Sequence, residues 1–489
     1  MKTSTYKFAA VAIAFGALAI TAFADRTIKS GTLQVESKRT ILKPLAGVRL
    51  DPITRKPLTQ WQPMSQTQGS GFVTNFGGGY IPAYDVCNTA PTGGLPNANG
   101  YATPNTFADF YGPTPIATGN IWNFGAAANW PMWADDMSLA AGTAGRVSRW
   151  HEITARIGSA PATNLILIIE TFDAHSNDVA GPASSEIVDL WAWDFGVVTP
   201  GFFGFPIDFD DFLSFSASGL KLPQSATGGG YRVSWATVDS SNNIVGLPTT
   251  GIAISPGYFY SNDAADPYVP GTNPSNSDEF QWDDDTPFNY IHEDETITAS
   301  LPTPYSENYD YEYTNIAGTG PGILHATAAM FVNDSAPLIK GNITFSDVSG
   351  PRRNPLFADV EISDGSTTVS DVVAVSQNGY YEIYVPSNGS WTVRVKSEHF
   401  LTKQAVVSVT GSATQNFTLT NADIDGDNSV TIFDYIELSN NFDKTDADPD
   451  FFDIGGAGVP KSFSDLDRDG AVTIFDYIIL SNNFDVSGD

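Results

Sequence analysis

The sequence predicts a mostly β, multi-domain secreted protein. It comprises a large antiparallel β-sandwich of jelly-roll type, a second and smaller β-sandwich, and a small α-helical module made of a duplicated loop–helix unit. Three observations carry this. Short runs of branched and aromatic residues recur between Gly- and Pro-rich loops, and few stretches have helical periodicity. The chain of 489 residues is long enough for several domains. Its last part is a near-perfect internal repeat, Val430–Asp443 returning as Val472–Asp485 with only Glu437 against Ile479 differing.

Composition sets the limits. Hydrophobic residues make up 42% and aromatics 12%, enough for real cores. The formal net charge of -31 repels nucleic acid and anionic lipid, so a nucleic-acid partner is excluded. From Asn421 to Asp489 there are 16 Asp and Glu against 3 Lys and Arg, 3 − 16 = −13, so much of the surplus lies in the repeat region. The single cysteine, Cys87, rules out an intrachain disulfide and a Cys-based metal site.

Residues 1–24 read as a signal peptide. Lys2 and Lys7 give the positive start, Phe8 to Ile20 the apolar run, and Ala22-Phe23-Ala24 a small-x-small cleavage site. The run is shorter than the roughly 20 residues that a membrane span needs, and no second run of that length follows. The mature chain is expected outside the cytoplasm, with residues 25–45 a linker or a leading strand.

Residues 46–335 form the large sandwich. Strands are expected at Arg146–Ile157, Asn164–Glu170, Ile187–Trp193, Tyr231–Val238 and Ile323–Val332. The apolar strands predict that this region folds alone. Catalytic chemistry finds little footing in it. The histidines His151, His175, His292, His325 and His399 lack a zinc-ligand spacing, and no G-x-S-x-G elbow or phosphate-cradling glycine loop occurs. Carboxylate pairs suited to glycoside hydrolysis remain: Asp135 with Asp136, Glu170 with Asp173, and Asp283–Asp285. Asp135, Asp136 and Asp173 suit a structural calcium equally well. Trp130, Trp133, Trp191 and Trp193 could stack on sugar rings, with core packing as the alternative. No residue is assigned a catalytic role.

Residues 337–420 carry a smaller set of strands: Leu338–Thr344, Leu356–Ile362, a turn into a third strand over Gln377–Pro386, Asn388–Lys396, Ala405–Val409 and Gln415–Leu419. This order resembles the carboxypeptidase regulatory-like family, a transthyretin-like β-sandwich, with Asp359 and Asn378-Gly379 as departures from its motifs. The resemblance implies a spacer module without chemistry of its own.

Residues 422–489 hold the repeat. Each copy opens with alternating acids and places an acid at the twelfth position of its loop. A hard dication such as Ca²⁺ takes six to eight oxygens, supplied by a short loop from positions 1, 3, 5, 7, 9 and 12. In the first copy these are Asp423, Asp425, Asp427, Ser429, Thr431 and Asp434, and in the second Asp465, Asp467, Asp469, Ala471, Thr473 and Asp476. Two ions are expected. Position 6 needs a positive φ, which suits Gly470 and the glycine substitute Asn428. Val430 and Val472 are expected to join the two loops by a short β contact. Helices should leave the loops at Ile432 and Ile474.

The pair resembles a dockerin domain, an EF-hand-like calcium module that docks secreted proteins onto cohesins. That resemblance implies a cohesin-like protein or another cell-surface protein as partner, and a partner surface at Ile432, Phe433, Ile474 and Phe475. These stand where better-known members carry Ser-Thr, which predicts a more apolar face. Two functions follow as expectations. The chain docks a β-sandwich binding domain, polysaccharide being one ligand class, onto an extracellular or cell-surface assembly; or it is a carbohydrate-active hydrolase of polysaccharides that carries a dockerin.

Overall fold

A computed structural model describes residues 35–36, 40–52, 56–66, 80–85, 109–111, 132–159, 163–173, 187–224, 227–241, 243–247, 253–261, 312–313, 322–326, 328–350 and 356–489. The signal segment 1–24 and Cys87, Trp130, His175, His292 and Asp283–Asp285 lie outside the described residues. The fold is mostly β and multi-domain, as the sequence predicts.

Among the described residues an 11-stranded and a 7-stranded sheet face each other in the first part of the chain. Alternation explains the sandwich. Ile153, Ala155 and Ile157 of strand Val147–Ser159, with Phe203, Phe205 and Ile207 of Gly201–Asp208, point inward from one sheet. Leu167, Ile169, Trp191, Trp193, Val233 and Trp235 meet them from the other. Strand Ile166–Phe172 is buried along its whole length, because Ile166 and Ile168 enter a second apolar cluster on the outer face with Val48, Leu50 and Leu190. That is why its sequence is continuously apolar rather than alternating. The chain passes repeatedly between the two sheets, which hold more strands than the eight of a jelly roll. Of residues 25–45, Thr40–Ile41 joins the larger sheet, parallel to Phe203–Gly204.

Two four-stranded sheets follow. Strand Leu338–Phe345 pairs antiparallel with Tyr380–Tyr384 and parallel with Ser412–Thr414 and Phe417–Leu419. Thr368–Ala374, Phe357–Ser363, Gly389–Lys396 and Lys403–Val409 form an antiparallel sheet opposite. Ile339, Ile343, Ile362, Trp391, Val393 and Val395 fill the space between. Gly379 turns the chain at φ 86, and a Cβ there would stand 2.3 Å from the carbonyl oxygen of Ile343.

The tail contains helix α1, Ile432–Asn440, and helix α2, Ile474–Asn482. Leu438 and Leu480 turn inward onto Ile424, Val430, Phe451, Leu466 and Val472. Leu401 of the preceding sandwich belongs to the same cluster. Among the described residues no helix is long and apolar enough to cross a membrane.

Candidate metal centre

The two loops are built alike. Asp423 and Asp465 are buried, and their carboxylates accept the N–H of the sixth residue, Asn428 at 3.1 Å and Gly470 at 3.0 Å. That turn requires a positive φ, which is 70 at Asn428 and 94 at Gly470. The third carboxylate accepts from the fifth N–H and the fifth from the seventh: Asp425 from Asp427 and Asp427 from Ser429, then Asp467 from Asp469 and Asp469 from Ala471. These bonds curl each backbone around one point.

The twelfth residue closes the loop from the helix side. Asp434 accepts the N–H of Ile424 at 2.6 Å, of Asp425 at 3.1 Å and of Thr431 at 2.7 Å. Asp476 does the same with Leu466, Asp467 and Thr473. Thr431 and Thr473 are helix N-caps, their hydroxyls accepting from Phe433 and Phe475 in capping boxes. One residue therefore caps the helix and faces the loop centre.

This arrangement gathers Asp423, Asp425 and Asp434 in one loop and Asp465, Asp467 and Asp476 in the other, each group with carboxylate oxygens within 4.8 Å of one another. Burial first, and neighbouring carboxylates after it, push the carboxyls of Asp425, Asp434, Asp467 and Asp476 above their ordinary range. Converging hard oxygens with an unfavourable like-charge cluster fit a divalent cation such as calcium. The carboxylates of Asp427 and Asp469 lie outside these two groups. Oδ1 of each of these carboxylates accepts the seventh N–H, and the hydroxyls of Thr431 and Thr473 accept the N–H of Phe433 and Phe475. Ser429 meets Ser487 at 3.0 Å through its hydroxyl, so position seven, like Ala471, has its main-chain carbonyl to offer.

One expectation is corrected. Val430 and Val472 do not join each other. Val430 pairs with the stretch after α2, its N–H reaching the carbonyl of Val486 and its carbonyl taking the N–H of Asp485. Val472 pairs in the same way with Lys444 and Asp443 after α1. Each loop is thus strapped by the tail of the other repeat, a reciprocal exchange that sequence cannot distinguish from direct pairing because both satisfy the same residues.

The loops also rest on the small sandwich. Asn428 accepts the N–H of Thr402 at 2.8 Å, and Ser349 and Gly350 donate to the carbonyl of Asp467 at 3.0 and 2.9 Å. Lys396 reaches Asp423 at 2.5 Å, and Arg468 pairs with Glu398. No local signal reveals these contacts, which join residues far apart in the chain.

The helices leave a wide apolar face open. Ile432 is 52% exposed, Phe433 60%, Ile474 53% and Phe475 60%. Tyr435, Ile436, Tyr477 and Ile478 are exposed beside them, and Tyr435 meets Tyr477 edge-on at 5.9 Å between ring centroids.

Of the carboxylates weighed from sequence in the large sandwich, Glu170 and Asp173 are each engaged by a neighbouring side chain. Glu170 is buried and bound by Arg232, whose guanidinium stands 2.7 Å from both carboxylate oxygens, so it serves the strand pairing. Asp173 accepts from the backbone and side chain of Gln224. Asp135 and Asp136 lie on strand Met132–Ser138, opposite Tyr231 and Gly230. Trp191 and Trp193 are buried and stacked on each other at 5.2 Å, which settles them as core rather than sugar platforms.

No protein-family model matches the chain, and no curated protein matches it. Among solved structures it is similar to an N-terminal and a C-terminal interface mutant of the type II cohesin–X–dockerin complex from Acetivibrio cellulolyticus. The identities are 24% and 25%, each covering 31% of this chain and 97% of the matched chain at a TM-score of 0.26. It is also similar to the Bacillus anthracis TIE protein, at 10% identity over 56% of this chain and 35% of that one, with a TM-score of 0.14. These likenesses assign no family.

Proposed function

We propose that the chain is a secreted, calcium-dependent docking protein. Residues 422–489 form a dockerin-like module holding two calcium ions, 337–420 a spacer, and 46–335 the domain that is delivered to an extracellular or cell-surface assembly. The observation that carries this reading is the coincidence, twice over, of a three-carboxylate loop with an exposed apolar helix start immediately after it. Asp423, Asp425, Asp434 and their counterparts Asp465, Asp467 and Asp476 would hold the ions. Calcium would neutralise the carboxylate clusters. The chain's own residues do the rest: the twelfth aspartates orient α1 and α2, and Ile432, Phe433, Ile474 and Phe475 offer the partner surface.

An exposed patch of this size is costly in water and is normally covered by a partner, here a cohesin-like or other cell-surface protein. The test is capture of the full chain by an immobilised cohesin panel, with calcium and with chelator. Calcium-dependent capture that Ile432→Asp with Ile474→Asp abolishes, at unchanged calcium affinity, supports the reading. Capture that ignores both chelator and these substitutions overturns it.

A further inference from the structure

The first calcium loop contains a cation from outside the repeat. Lys396 ends strand Gly389–Lys396 of the small sandwich. Its ammonium lies 2.5 Å from Oδ2 of the buried Asp423 and 2.9 Å from the carbonyl oxygen of Phe400. On its own sheet it faces Asp359 in register. The contact is anchored rather than incidental. The backbone carbonyl of His399 takes the N–H groups of Ala422 and Asp423, and Thr402 donates to Asn428 across the same seam. We propose that Lys396 is a positioning residue that links the first loop to the spacer. It neutralises part of the carboxylate cluster when calcium is absent and lowers the loop's affinity for calcium. This rests on the reading of the loops as calcium sites.

The physics has one sign throughout. Without calcium, a fixed ammonium beside the first ligand relieves part of the like-charge repulsion and tethers Asp423 to the sandwich. With calcium, the same charge stands next to a dication. At a separation of a few ångströms, a unit charge beside a double charge lowers affinity about tenfold even at the dielectric of water. Both effects reduce the gain on binding. The spacer thereby sets the calcium concentration at which the first loop fills, and calcium in turn loosens the spacer's hold on Asp423.

Calcium calorimetry on the full chain, with the loops told apart by Asp434→Asn and Asp476→Asn, tests this. Lys396→Met should raise the affinity of the site that Asp434→Asn removes by about tenfold. It should also lower the melting temperature measured in chelator. Lys396→Arg, which keeps the charge, should bind as the unaltered chain does. Should Lys396→Met fail to fold, Lys396→Gln, which retains a donor for Phe400, takes its place with the same expectation. Unchanged or weaker binding at the first loop in the neutral variants overturns the proposal. Absence of calcium binding at both loops of the unaltered chain would instead overturn the calcium reading itself, so the two failures are distinct.

Discussion

His151 stands in the core of the large sandwich, 5.8 Å from the ring of Trp193 and 5.9 Å from that of Phe209. Neither ring nitrogen has a hydrogen-bond partner among the described residues. Burial pushes its pKa down from 6.5 to about 3. The unfolded chain therefore binds a proton that the folded chain refuses between these values. The stability contributed by the neutral ring is full above pH 6.5 and is lost as the pH falls toward 3. Urea unfolding at pH 7 and pH 4.5 should show a larger acid loss in the unaltered chain than in His151→Phe. An equal loss in both would show that this ring does not titrate with unfolding. From sequence, His151 was merely a histidine without ligand spacing, because the aromatic cage that excludes water comes from other strands.

At the scale of the element, the repeat was the most legible part of the chain. Its loops are local chemistry: every hydrogen bond that curls them lies within twelve residues, so spacing alone sets them. The positive φ at Asn428 and Gly470 was likewise readable from residue type. Less legible is strand Thr368–Ala374: the sequence predicts its register partner, at Leu356–Ile362 where the strand is Phe357–Ser363, but not the strand itself. Its outer residues Thr368 and Ser370 are exposed, and the apolar half of the strand is short. The straps on Val430 and Val472 were misplaced for a topological reason, as two equivalent partners exist. The helix caps give a measurable consequence. Thr431→Ala and Thr473→Ala should each cost about 1 kcal/mol, seen as a lower urea midpoint of the helical signal. A neutral result would mean that Asp434 and Asp476 hold the helix starts without them.

Across the whole molecule, the large and small sandwiches share buried charge. Arg49 is fully buried and bound to Asp189 at 2.9 and 3.0 Å. Its guanidinium also donates to the carbonyls of Gly219 and, across the seam, Val372. It lies over the rings of Trp191 at 4.6 Å and Phe357 at 5.6 Å. Glu382 of the small sandwich accepts from the side chain of Arg146 and the N–H of Val147. None of this is visible in a linear reading, which predicts a front region that folds alone. Removing one member of a buried ion pair costs about 3–5 kcal/mol, so Asp189→Asn should destabilise the chain on that order, read by urea unfolding. A fragment ending at residue 336 strips Arg49 and Arg146 of their acceptors across the seam. It should therefore melt below the same region within the full chain and bind more of an apolar dye. Equal melting would mean the seam adds nothing.

The central claim is that each repeat holds one calcium ion and that the ion fixes its helix. Equilibrium calorimetry of the chelator-treated full chain, followed by circular dichroism at each calcium addition, addresses it directly. Two ions per chain are predicted, falling to one in either Asp434→Asn or Asp476→Asn, with helical signal gained as calcium is added. A chain that takes up no calcium, or whose stoichiometry is unchanged in both variants, would contradict the account.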